Sequence, residues 1–177
     1  SRPRLRRPAE PQNARQTHRN HARHHDRSAG RGPRRNPDRS WTGPRVVEDH
    51  VRDDDDDDPR EAAEFPFHVI INPSYEPIGT ETRSFYEGCL SFDGYQAVRK
   101  RWLDITARWQ DEDGKQHEEH LHGWPARIFQ HETDHLSGEL YIDKAEIRSL
   151  ATNENLEDFW CDDPVPNEAA AELGFEL

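Results

Sequence analysis

The 177-residue sequence predicts an α+β domain in which short, mostly antiparallel strands surround one central helix. Three stretches carry that prediction. From Trp102 to Trp109 the chain alternates, with Leu103, Ile105, Ala107 and Trp109 on one side and Asp104, Thr106 and Arg108 on the other. That is the period-two pattern of a half-buried antiparallel strand. Phe67 to Asn72 is a compact apolar run closed by Asn72-Pro73, which reads as a buried strand stopped by a turn. From about Trp124 the chain reads as one long helix, and Gly138 is a good C-terminal stop.

The remaining elements follow in order. Val46-Val47 ends a strand over Arg45–Asp49 that runs into six consecutive aspartates, Asp53 to Asp58. Like charges at that density repel and stay solvated, so residues 53–58 read as a loop insertion. The run lacks the spaced ligands and turn glycine of a calcium loop. Tyr75 to Ile78 and Thr80 to Phe85 form a hairpin around Gly79, and Asp111-Glu112-Asp113-Gly114 turns the alternating strand back along Lys115 to Leu121. Glu154 to Trp160 and Asn167 to Leu173 are helix-like pieces of a tail that begins near residue 153.

The net charge of −12 conceals a divide. Residues 1–45 hold 13 arginines against Glu10, Asp26 and Asp38, about +10, whereas the rest holds 11 basic and 33 acidic residues, about −22. A basic arm on an acidic domain suggests nucleic-acid binding. The arm is nearly free of aliphatic residues and crowded with Arg, Pro, His, Asn and Gly, and the chain has no methionine. That composition favours a stretch read out of frame, or else a disordered tail, over a nucleic-acid module. The globular unit is then one domain over residues 46–177. Two cysteines make no disulfide framework, no secretory signal is visible, and no apolar run approaches the ~20 residues of a membrane span. Cytoplasmic residence is expected, with Cys161 a spectator thiol.

Chemistry concentrates in His131-Glu132-Thr133-Asp134-His135. Residues i and i+4 lie about 40° apart around a helix, so both imidazoles can face one ion. Glu132 sits beside the first ligand, placed to take a proton from water. A third ligand has three candidates. A histidine six residues past His135 is ruled out, because Tyr141 stands there. Glu154, in Asn153-Glu154-Asn155-Leu156-Glu157-Asp158, would make the site thermolysin-like. Cys89, in Glu87-Gly88-Cys89-Leu90-Ser91, is the upstream choice.

Glu87-Gly88-Cys89-Leu90-Ser91 followed by Gln130-His131-Glu132-Thr133-Asp134-His135-Leu136 resembles the second and third signature motifs of peptide deformylase. The likeness extends through Gly94-Tyr95-Gln96-Ala97, Gly123-Trp124-Pro125-Ala126-Arg127-Ile128 and Gly138-Glu139-Leu140-Tyr141-Ile142-Asp143, and covers about Val46 to Trp160. The tail from Arg148-Ser149-Leu150 to Trp160 is similar to actinobacterial members. The resemblance implies a peptide deformylase-like fold and metal ligands Cys89, His131 and His135. It also implies Fe(II) as the ion, with zinc or nickel able to substitute.

By the same resemblance, Glu132 is the general base and acid, and the Leu90 N–H donates to the oxyanion formed on the formyl group of an N-formylmethionyl peptide. Gly88 allows close backbone approach, Trp124 and Ile128 line a methionine pocket or serve as core, and Glu87 supports the site through an ion pair with a basic partner. Nascent peptides at the ribosome are the implied substrates. The family's first motif, G-x-G-x-A-A-x-Q, has no match in residues 1–45. Pro11-Gln12 lacks its glycines, so the oxyanion role of that glutamine is not carried onto Gln12. A non-catalytic remnant with a basic nucleic-acid-binding arm is therefore the third reading, beside the deformylase and the protease.

Overall fold

The computed structural model describes residues 34–35, 41–42, 45–49, 58–61, 63, 65–161 and 163–177. The expectations for Pro11-Gln12, for most of residues 1–45 and for the aspartates at 53–57 lie outside the described residues. The described strands are β1 (Arg34–Arg35), β2 (Trp41–Thr42), β3 (Arg45–Asp49), β4 (Phe65–Pro77), β5 (Thr82–Cys89), β6 (Phe92–Trp102), β7 (Asp104–Gln110), β8 (Gln116–His122) and β9 (Glu146–Thr152). The helices are α1 (Gly123–Leu136), α2 (Asn153–Phe159) and α3 (Asn167–Leu173), with a 3₁₀ turn at Tyr141–Lys144. Every strand pairing is antiparallel, and the sheets are ordered β1-β2, β3-β4-β7-β8 and β5-β6-β9. The class is α+β, as the sequence predicts. No described helix is long and apolar enough to cross a membrane.

β7 buries alternate residues as its period requires, with Ile105, Ala107 and Trp109 on the core side. With Phe65, Ile70, Leu121, Ala126, Ile128 and Phe129 they form the apolar core between the four-stranded sheet and α1. The turn at 111–114 and the return strand β8 stand where the sequence places them.

Two local readings change. The strand that Asn72-Pro73 was expected to stop continues as β4 to Pro77. Asn72 takes a positive φ of 50°, and the pairing with β7 shifts register between Ile71 and Ser74. The proline is absorbed in a bulge, where no ladder N–H is required of it. The hairpin expected around Gly79 is a corner between sheets. β4 pairs with β7 while β5 pairs with β6, and only Ile78 N–H to Asp104 O (2.9 Å) and Leu103 N–H to Glu81 O (3.0 Å) stitch the corner. The partner changes at this corner, from β7 along β4 to β6 along β5.

Helix α1 lies between the sheets. Its first turn is held by Gly123 N–H to Leu103 O (2.9 Å). Its end is a Schellman cap: Gly138, at φ 80°, donates to His135 O and Glu139 donates to Asp134 O. One face meets the apolar core, and the other carries Arg127, Gln130, His131 and Asp134, all buried.

Candidate metal centre

Strand β5 buries Glu87, exposes Gly88 and half-buries Cys89, so Glu87 and Cys89 share one face. Gly88 is a tight position, because a Cβ there would lie 3.0 Å from Gln96 Cγ and 3.2 Å from Tyr95 O. The chain then turns through Leu90, which is 62 % exposed. Opposite, α1 presents His131 and His135 with ring centroids 4.6 Å apart. Candidate ligand atoms of Cys89, His131 and His135 all lie within 4.8 Å of one another, the single such group among the described residues. Glu154 is exposed on α2 and outside that group.

The imidazoles are aimed from behind. His131 Nδ1 lies 3.1 Å from Glu87 Oε2, and His135 Nδ1 lies 3.1 Å from the Glu139 carbonyl that the Schellman cap delivers. Engaging Nδ1 in this way fixes the ring orientation and leaves Nε2 as the nitrogen on the far side. Burial alone would raise the Cys89 thiol, but hydrogen bonds from His131 and His135 bring it down to about 6. Burial would lower His131, yet Cys89 and Glu87 push it up to about 9, with Glu132 adding to the rise. Once His131 gives up its proton, the donor set is a thiolate with two oriented imidazoles, which suits a borderline or soft divalent cation. Glu132 is 2 % exposed on the same helix.

Behind these residues lies a buried ionic cluster. Arg101 grips Glu87 with Nε to Oε1 (2.7 Å) and Nη2 to Oε2 (3.0 Å), and its Nη1 reaches Asp134 Oδ2 at 2.7 Å. Arg127 Nη1 also donates to Glu87 Oε1, and Arg99 pairs with Glu139 at 2.8 Å. Burial works against the Glu87 carboxylate, but Arg101 and Arg127 hold it well below the usual range. Tyr75 donates to Asp134 Oδ1 at 3.3 Å. Gln130, 1 % exposed, clamps the strand backbone, accepting from Trp102 N–H (3.2 Å) and donating to Trp102 O (2.9 Å). Sequence reading anticipated an ion pair at Glu87 without its partners. The one available signal was Arg127, a lone basic residue spaced i−4 from His131.

Of the pocket candidates, Ile128 belongs to the apolar core. Trp124 is half-buried against that core, edge-on to Phe85 at 6.1 Å, with the Arg60 and Arg127 guanidinium groups each 5.8 Å from its ring centre.

A strand and a helix that bring one cysteine and the two histidines of H-E-x-x-H together define a protein with a Cys-His-His metal-site geometry. The sequence profile of the polypeptide deformylase family matches residues 45–150. The chain belongs to that family. It is 92% identical over 132 residues to a peptide deformylase of Bifidobacterium adolescentis, covering 75% of this chain and 61% of the relative. It is 84% identical over 132 residues to peptide deformylase 1 of Bifidobacterium longum, covering 75% and 60%. Against peptide deformylase 1 of Streptomyces coelicolor the figure is 54% over 112 residues, covering 63% and 51%. The chain thus spans about three fifths of the length of its bifidobacterial relatives.

Proposed function

We propose that residues 46–177 form a metal-dependent deformylase domain that removes the formyl group from N-formylmethionyl peptides and releases formate. The observation that carries this reading is the convergence of Cys89, His131 and His135 beside the buried Glu132. Cys89 Sγ and the two Nε2 atoms would hold Fe(II), with zinc or nickel as substitutes. A cation there would supply Lewis acidity that lowers the pKa of water at the site. Glu132 takes the proton of the attacking water and returns it to the leaving amine, so that formate departs and the peptide N-terminus is free. The Leu90 N–H donates to the formyl oxygen as it becomes negative. Gly88 keeps the strand backbone close to the substrate, and Trp124 with Ile128 borders the methionine side chain. Substrates are nascent peptides at the ribosome, in the cytoplasm.

The sequence shows no counterpart of the glutamine motif that would supply the second oxyanion donor. Loss of one such donor costs about 10²–10³ in rate, so turnover is expected to be slow. The test is formate release from a formyl-Met tripeptide by anaerobically purified protein of known metal content. Turnover should fall by about 10²–10⁴ in Glu132→Ala and vanish with the metal in Cys89→Ala. Turnover that survives Cys89→Ala would sink the proposal.

A further inference from the structure

The ligand-bearing face of α1 holds Arg127, His131 and His135 at four-residue intervals, and the facing side of β5 holds Glu87 and Cys89 two residues apart. These intervals match in length: four helical residues rise about 6.0 Å and two strand residues about 6.6 Å. The two rows interlock. Arg127 meets Glu87 Oε1, Glu87 Oε2 meets His131 Nδ1, and Cys89 lies within ligand distance of both His131 and His135. The first rung of this ladder is an ion pair and the last is the candidate metal site.

We propose that Arg127 is a positioning residue for the metal centre, docking the Arg127–His131–His135 row onto the Glu87–Cys89 row in the register that sets Cys89 against both histidines. This rests on the metal-site reading above. Arg127 is the single Lys or Arg in α1, and it anchors to both strands of the β5–β6 pair. Its Nη2 donates to Arg83 O at 2.6 Å and its Nη1 to Arg99 O at 3.0 Å, while its guanidinium stacks over Phe85 at 4.9 Å. Arg101 cannot substitute, because it sits on β6 and grips Glu87 from within the sheet. Its tie to the helix goes to Asp134. Arg127 is the cation that shares the Glu87 carboxylate with His131 from the helix side. By holding Oε1 it keeps Oε2 turned toward the imidazole.

The experiment is a Co(II) titration of the metal-free 177-residue chain, read by the thiolate-to-cobalt absorption and by competition affinity. It compares wild type with Arg127→Met and Arg127→Lys, each with its thermal midpoint. Removing an outer partner of a metal ligand typically weakens affinity about 10–100-fold. Arg127 acts through Glu87, one contact further out, so a loss at the low end of that range, about 10-fold, with a changed cobalt spectrum, is expected for Arg127→Met. Arg127→Lys keeps the charge but loses the two-carbonyl anchor, and it should fall between. A residue that only stabilises the fold would lower the thermal midpoint and leave affinity and spectrum at wild-type values. That outcome overturns the proposal. Should Arg127→Met fail to fold, Arg127→Lys decides, and wild-type affinity in it is equally fatal. A wild-type chain that takes up no cobalt overturns the metal reading and this proposal together, whereas normal wild-type uptake with unaffected variants overturns the proposal alone.

Discussion

Strands β6 and β7 are consecutive, each pairs antiparallel on both sides, and each turns alternate residues toward α1, yet they bury opposite chemistries. β7 sends only apolar side chains inward, Ile105, Ala107 and Trp109, whereas β6 buries Arg99 and Arg101, both at most 7 % exposed, beside the small Ala97 and Val98. The apolar side needs nothing more than removal from water. The ionic side needs a partner for each charge, because a buried unpaired ion is costly. Those partners come from elsewhere: Glu87 from β5, Asp134 from α1 and Glu139 from the cap. One side of the helix is therefore held by a non-directional force. The other is held by directional contacts that also aim the histidines.

If that division holds, the ionic side should be the less forgiving one. Arg101→Met leaves Glu87 and Asp134 buried with their main partner gone, and breaking such a cluster costs about 3–5 kcal/mol. Chemical denaturation should register it, and a loss below 1 kcal/mol would mean that the cluster is better hydrated than its burial implies. Ile105→Ala removes a fully buried side chain from the apolar side and should cost about 2–5 kcal/mol. This variant should keep its cobalt spectrum, since Ile105 belongs to the apolar core on the other side of the helix. A changed spectrum would show that the two sides are coupled.

The smallest effect is expected where ionic pairs are exposed, at the rim of the four-stranded sheet. There His122 contacts Asp104 Oδ1 at 2.8 Å and also Glu61, while His120 contacts the same Asp104 oxygen at 2.7 Å. Hydrogen bonds donated to Asp104 and Glu61 raise the His122 pKa above 6.5. Its stabilisation is then complete below 6.5 and fades as pH rises through the folded-state value. Slight burial opposes ionisation of Asp104, but the two histidines lower its pKa below 3.8, so its share is complete above 3.8 and fades in stronger acid. The difference in thermal midpoint between wild type and His122→Gln should peak between these two values and shrink above neutrality. A difference that grew with pH would contradict the assignment.

Much of this was legible in the sequence. The alternation of β7, its turn at 111–114, the span of α1 and the spacing of His131 and His135 are local patterns. Period and turn chemistry act over a few residues and survive in any context that offers one apolar side. The Cys89 motif was legible through resemblance, since a lone cysteine carries no period. The reading failed at β6 and β9, which were not recognised as strands, and at the corner near Gly79. Arg99 and Arg101 look like a solvated face until Glu87, Asp134 and Glu139 arrive to neutralise them. Ser149 on β9 looks like surface until its hydroxyl accepts from Val98 N–H at 2.7 Å and fills a break in the ladder. Local spacing therefore specified where the ligands sit on their own elements. Which strand faces which helix turn, and which charges are buried together, was settled by the folded chain, because those interactions join residues 14 to 51 positions apart.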